Sequence, residues 1–241
     1  AALPAARREA IRARHVGPRP APPKGRILLS FAEREYLAAK GNRLRYCFSP
    51  AWFPYDYLGD GAHKGLFRDY LSLFAQKLGV KLEAVPTATW AEALAQVHAR
   101  RCDLLSGAVR TDERETYLDF TAPYFSLSHV LLAPRDKPFV RDISALAGEP
   151  IAVPEASAIE ANLREQHPEL RLMPSPSAEN LQQDFGTGRI SAAVTTLEHA
   201  AELIERSAGE LRIIGQLNNR YPISVATRSD EPLLHLIMDK A

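Results

Sequence analysis

Residues 102–124 read C-D-L-L-S-G-A-V-R-T-D-E-R-E-T-Y-L-D-F-T-A-P-Y. A short buried strand at Leu104-Leu105 breaks at Ser106-Gly107 and leads to Thr111, which stands as the N-cap of a helix carrying Arg114 one turn in. A strand that ends in small residues and then presents hydroxyls, free backbone N–H groups and a guanidinium is suited to holding an anion. The amides carry partial positive charge, and the arginine offers a planar fork that matches a carboxylate.

Upstream of this stretch the order is strand, helix, strand, helix. Leu44–Phe48 is the first strand, followed by the aromatic loop S-P-A-W-F-P-Y-D-Y-L-G-D-G. Leu66–Leu78 places Phe67, Leu71, Phe74 and Leu78 at helical spacing and is closed by Gly79. Val80–Val85 alternates as a strand, and Thr89-Trp90-Ala91-Glu92 is a capping box opening a helix to about Arg100. This alternation predicts a parallel α/β sheet with right-handed crossovers.

Downstream, Ser128–Ala133 is an apolar strand. A second α/β unit follows, with strands at 151–153, 170–173, 190–195 and 211–214 and helices from Ser157, about Ala178 and about Leu197. Ser157–Glu160 is a further capping box. Pro222–Thr227 reads as a strand returning to the first unit, and Glu231–Ala241 as a final amphipathic helix. The expected architecture is two α/β lobes, the second inserted in the first and joined by two crossing strands, with a ligand cleft between them at the carboxyl ends of parallel strands.

At the other end, Leu3–Val16 carries helix formers, G-P-R-P-A-P-P-K-G is a linker composition, and Ser30–Glu33 caps a short opening helix that stops at Gly41. The expected division is 1–42 as the tail of a preceding domain, linker and opening helix, 43–130 with 222–241 as lobe 1, and 131–221 as lobe 2. A final helix running to the last residue leads to the expectation of a longer parent polypeptide.

The totals narrow the function. The 241 residues are 46% hydrophobic and 24% charged with a formal net charge of +1, an ordinary globular balance that favours a small ligand over nucleic acid. No apolar run approaches the length of a membrane span. Seven histidines are scattered without ligand spacing, so neither a metal nor another cofactor is expected. Gly186-x-Gly188 reads as a helix-to-strand turn, not a phosphate cradle. Cys47 and Cys102 could form one disulfide, but two buried free thiols are the expectation.

Taken in order, W-F-P-Y-D, G-L-F-R-D-Y-L, W-A-E-A-L, C-D-L-L, T-D-E-R-E-T-Y-L-D-F-T-A-P-Y, L-A-G-E-P-I-A-V and G-T-G-R-I-S-A-A-V resemble the family-3 extracellular solute-binding domain over about Leu44–Ala241. That resemblance implies a two-lobed type II periplasmic-binding-protein fold, the Venus flytrap. The flanks A-L-P-A-A-R-R-E-A-I-R-A-R-H and I-L-L-S-F-A-E-R-E-Y-L resemble the junction between tandem flytraps in the periplasmic sensor parts of BvgS-type hybrid histidine kinases.

In amino-acid-binding members of the family the arginine of a T-x-x-R motif grips the ligand carboxylate, a role the resemblance carries to Arg114 with Thr111. Ser106, Gly107 and Val109 occupy the loop that completes that site. Many relatives have a hydroxyl where Val109 stands, and its loss removes a hydrogen bond of about 1.5–3 kcal/mol to an anion. Trp52 falls at the ligand-stacking aromatic and Trp90 at an apolar wall, both otherwise readable as core packing. From lobe 2 come Ser157 and Thr196. Amino-acid binders carry an aspartate at the Thr196 position to hold the α-ammonium, so the resemblance implies a small carboxylate or aromatic acid, or an empty cleft.

The implied function is a periplasmic signal-input domain of an inner-membrane sensor kinase, homodimeric in the full receptor, next to another flytrap, and reaching the membrane only through other segments. The domain itself is not expected to be an enzyme. A transport binding protein of an ABC uptake system is the alternative. A dehydratase-like enzyme is a third reading, with Glu155 and Glu198 as its only nominable carboxylates.

Overall fold

A computed structural model describes residues 27–175 and 178–241. The helix-forming segment Leu3–Val16 and the proline-rich linker lie outside the described residues.

The first helix, α1 (Phe31–Ala39), begins at the expected capping box. The Ser30 hydroxyl accepts from the Glu33 N–H and the Glu33 carboxylate accepts from the Ser30 N–H. β1 (Arg43–Cys47) follows, and the aromatic loop then folds into a small antiparallel sheet of β2 (Ala51–Trp52), β3 (Asp56–Gly59) and β4 (Ala62–Lys64). That sheet is not predicted from the sequence, because its strands are shorter than any periodicity can reveal. α2 (Leu66–Leu78) ends at Gly79, whose φ of 70° supplies the left-handed residue that closes it. β5 (Lys81–Ala84) and α3 (Trp90–His98) lead to β6 (Leu104–Ala108).

β6 does not break at Ser106-Gly107 as expected but continues to Ala108. The small residues serve close packing instead. A Cβ on Gly107 would lie 2.6 Å from a ring carbon of Phe67 and 3.0 Å from the Tyr124 hydroxyl. The turn of helix α4 (Asp112–Glu115), β7 (Leu118–Phe120) and the long β8 (Phe125–Pro134) complete the passage to the second lobe. That lobe holds β9 (Pro150–Pro154), α5 (Ala158–Gln166), β10 (Arg171–Ser175), α6 (Ala178–Gly186), β11 (Ala192–Thr196) and α7 (Leu197–Arg206). β12 (Leu211–Arg228) returns to the first lobe, where α8 (Pro232–Asp239) packs.

The main sheet runs β10-β9-β11-β8-β12-β6-β1-β5, with β7 also paired to β12. β1 is parallel to β5 and β6, and β9 is parallel to β10 and β11, so each lobe has the expected crossovers. β8 and β12 are the two crossing strands and pair antiparallel from Leu211↔Pro134 to Ile223↔Phe125. The two separate strands expected at 211–214 and 222–227 are one strand. Its polar middle, Leu217–Arg220, lies in a zone of register shift, and such bulges let a strand bend without ending.

The cysteines also differ from expectation: Cys47 and Cys102 form a disulfide, with Cα atoms 5.8 Å apart. Strands β1 and β6 are staggered, pairing Tyr46 with Leu104, so the end of one lies beside the approach to the other. Both residues are fully buried against Ala93, Val97 and Leu105. Gly186–Gly188 is the turn expected, with Gly188 at φ 69°.

Candidate functional site

Arg114 is the chemical centre of the cleft. Thr111 caps α4 by accepting from the Arg114 N–H at 3.3 Å, which holds the arginine at the carboxyl end of β6. The side chain is only 5% exposed, yet no ion pair to it is found among the described residues. Asp119 and Glu113, the acidic residues near it in sequence, do not pair with it. Asp119 sits on β7 opposite Thr227, and Glu113 is exposed. The guanidinium instead donates to the Val109 carbonyl at 2.8 Å and, across the cleft, to the Ala156 carbonyl at 2.8 Å. Burial pulls its pKa below the ordinary arginine value, with Tyr117 and Glu113 opposing the shift. A desolvated cation satisfied only by neutral carbonyls is an electrostatic vacancy for an anion.

Trp90, at the start of α3, lies with its ring under this guanidinium, 5.5 Å from its central carbon, and its indole N–H donates to the same Ala156 carbonyl at 3.1 Å. Ala156 has a φ of 53°, a left-handed conformation that turns its carbonyl toward both donors. Ser157 caps α5 by accepting from the Glu160 N–H at 3.1 Å and donates to the Pro154 carbonyl, so its hydroxyl is already engaged.

These groups surround a cavity of about 120 Å³ between the lobes, below the roughly 300–1,000 Å³ of pockets for drug-sized ligands. Of the residues predicted for the site, Trp52, Trp90, Gly107, Val109, Arg114, Ser157 and Thr196 line it. Trp52 also packs against Tyr55 and Phe67, at ring separations of 5.4 and 5.5 Å, so it serves cleft and core together. Thr111 acts one step back, through the cap. Ser106 is fully buried beneath the cleft, and its hydroxyl donates to Asp56. Asp56 in turn meets His63 at 2.7 Å, and His63 meets the Tyr46 hydroxyl at 2.9 Å. Burial pushes the Asp56 carboxyl up, and the bonds to His63 and Ser106 pull it back. This chain anchors the small sheet β2–β4 to β1 and β6.

Sequence reasoning found Ser157 and Thr196 but missed the rest of the lobe-2 wall. His129 on β8 stands opposite Thr196 on β11, and the cavity is also lined by Thr195, His199 and Tyr221. His129 is 5% exposed, packs edge-on against Tyr221 with ring centroids 5.0 Å apart, and its Nδ1 has no hydrogen-bond partner. Burial drives its pKa down to about 4, so the ring is neutral near pH 7. The available signal was one histidine inside the apolar strand L-S-H-V-L-L-A. A second missed contact is the Tyr55 hydroxyl, which donates to Glu198 from the opposite lobe. Glu155, the other nominated carboxylate, lines the cavity but is exposed. No cluster of metal-ligating side chains is found among the described residues.

Comparison with known proteins bears on the family and the fold. The L-cystine-binding protein TcyJ of Escherichia coli K12 is 26% identical over 190 residues, covering 77% of this chain and 71% of that protein. The virulence sensor protein BvgS of Bordetella pertussis is 25% identical over 179 residues, covering 73% of this chain but 14% of BvgS. The crystal structure of the BvgS periplasmic VFT2 domain superposes with a TM-score of 0.78 at 22% identity, covering 89% of this chain and 92% of that domain, and so shares the two-lobed fold. The family model for bacterial extracellular solute-binding proteins, family 3, matches residues 44–240. With a match over most of its length and the two-lobed cleft the family fold requires, this chain belongs to the bacterial extracellular solute-binding proteins, family 3.

Proposed function

We propose that this flytrap is the periplasmic signal-input domain of an inner-membrane hybrid sensor histidine kinase, and that its cleft takes a small carboxylate gripped by Arg114. The observation that carries the anion is the buried guanidinium, which among the described residues has only the carbonyls of Val109 and Ala156 as hydrogen-bond acceptors. The likeness to BvgS in sequence and in fold supports the sensor role. In that role a neighbouring flytrap, a homodimeric receptor and the kinase segments lie elsewhere in the polypeptide. A ligand shifts lobe closure only through different affinity for the open and closed states, and the contacts that cross the cleft are where that difference arises. The domain itself performs no chemistry in this reading: Glu198 is held by Tyr55, and among the described residues no paired acid and base lines the cavity.

Thermal-shift screening of small organic acids against the wild type and Arg114→Ala tests the ligand. Stabilisation that disappears in the variant is expected, whereas stabilisation that persists removes Arg114 from the site. Locking the lobes with an engineered cross-cleft disulfide in the full receptor tests the signal, and unchanged kinase output would sink the sensor role. The likeness to TcyJ over 71% of its length favours a second reading, a binding protein for an ABC uptake system. A kinase segment in the same gene excludes it.

A further inference from the structure

The lobe-2 wall of the cavity carries two buried polar atoms that the protein itself leaves unsatisfied. One is His129 Nδ1, and the other is Thr196 Oγ1. Thr196 is the N-cap residue of α7 but makes no side-chain cap bond, and its hydroxyl approaches the Tyr55 phenol, whose proton is committed to Glu198. The two residues are direct cross-strand partners on β8 and β11, and both line the cavity that also contains Arg114. Opposed residues of an antiparallel pair carry their side chains on one face, about 5 Å apart at Cβ. Buried polar groups ordinarily find a partner, so a pair left open on one cavity wall points to a ligand group that completes it.

We propose that His129 and Thr196 form a second subsite that hydrogen-bonds an uncharged hydroxyl or oxo group of a ligand whose carboxylate lies on Arg114, making the cleft selective for short hydroxy- or oxo-carboxylates over amino acids. This deepens the function proposed above and rests on its anion assignment. The chemistry of the wall supports it. Burial holds His129 neutral, so it offers an acceptor or a donor but no charge to balance an ammonium. The N-terminus of α7 adds partial positive charge on the same side, which disfavours a cationic group. Among the described residues the one carboxylate lining the cavity is Glu155, exposed to solvent, where its attraction for an ammonium is screened. The cavity volume of about 120 Å³ suits a short chain.

The test uses matched probes on one carbon skeleton: propionate, lactate, pyruvate and alanine, with butyrate, 3-hydroxybutyrate, acetoacetate and 3-aminobutyrate as the four-carbon set. Affinities come from calorimetric titration of the purified chain. In the wild type a hydroxy or oxo acid is expected to bind about tenfold tighter than its unsubstituted parent, the equivalent of one good hydrogen bond, and the amino acids weakest. His129→Gln keeps hydrogen-bonding capacity and retains part of that preference. His129→Phe and Thr196→Val bring the affinities for parent and substituted acid together, and circular dichroism of each variant confirms folding. Equal affinity for parent and substituted acids, a preference for the amino acids, or no binding of any probe would overturn the proposal. If the probes bind but Arg114→Ala binds them equally well, the anion assignment itself fails. If that variant loses them all while His129→Phe keeps the hydroxyl preference, only the second subsite fails.

Discussion

His129 reports on the cleft through its proton. Its folded-state pKa of about 4 lies below the ordinary histidine value because burial disfavours the imidazolium. Between about pH 6.5 and pH 4 the unfolded chain therefore binds more protons at this residue than the folded one, and stability falls as the pH drops through that window. The full contribution is about 3 kcal/mol. His129→Gln is expected to flatten this part of the stability–pH profile in urea titrations. An unchanged slope would mean that the folded ring titrates near the ordinary histidine value. At Val109 the missing hydroxyl makes a complementary prediction. Val109→Ser adds a donor beside Arg114 and is expected to tighten anion binding by about 1.5–3 kcal/mol, read as a lower dissociation constant for whichever acid binds the wild type. Arg114 and Thr111 were legible in the sequence because a capping threonine three residues before an arginine is a local pattern. His129 was not, since its meaning depends on Thr196, sixty-seven positions away in the chain and opposite it in the sheet.

Local signals placed the helices well, because caps act within one turn. The hydroxyls of the three expected capping boxes, Ser30, Thr89 and Ser157, each accept the expected backbone N–H. The glutamates of the latter two boxes reach back one residue further, to the N–H of Ala88 and Ala156. At Ser30 the cap has a second duty. Glu33 is 3% exposed and also accepts from Lys240, at 2.6 and 2.7 Å, which ties α1 to the end of α8. The Lys240 hydrogen bond and the Ser30 N–H hold Glu33 below the usual carboxylate range. Ser30→Ala is expected to cost about 1 kcal/mol in chemical denaturation, the worth of the cap. Nearby, Asp103 is buried, which opposes ionisation, yet the Arg45 N–H and the cations of Arg45 and Lys40 keep it below its ordinary value. The disulfide adds a longer closure. Cys47 and Cys102 are 55 residues apart in sequence, and a loop of that size constrains the unfolded chain by about 4 kcal/mol on the chain-entropy account. Cys47→Ser with Cys102→Ser is expected to lose stability on that scale in equilibrium unfolding. A loss near zero would show that the unfolded chain is already constrained there.

At the scale of the whole molecule, three side chains among the described residues reach from lobe 1 to bridge the lobes: Arg114 and Trp90 to the Ala156 carbonyl, and Tyr55 to Glu198. One hydrophobic cluster also crosses the cleft, joining Tyr55 and Phe67 to Val153, Ile159 and Val194. The antiparallel pair β8–β12 runs from one lobe to the other and is the only sheet connection between them among the described residues, so opening has to bend those two strands. Removing two bridges together, with Tyr55→Phe and Trp90→Phe, is expected to raise the radius of gyration measured by small-angle X-ray scattering. It should leave secondary structure unchanged, since neither side chain supports a strand or a helix cap. An unchanged radius would assign closure to the apolar cluster together with the remaining Arg114 bridge.

Period, capping and turn chemistry are properties of neighbouring residues, and from them the sequence by itself determined the α/β order, the inserted second lobe and the arginine at the end of β6. Three features belong to the tertiary structure alone: the disulfide, which depends on the stagger of β1 against β6; the continuity of β12 through its polar middle; and the pairing of His129 with Thr196. Each joins residues far apart in the chain, and the distance between such residues is set by sheet register and lobe closure, quantities that no local window of sequence contains.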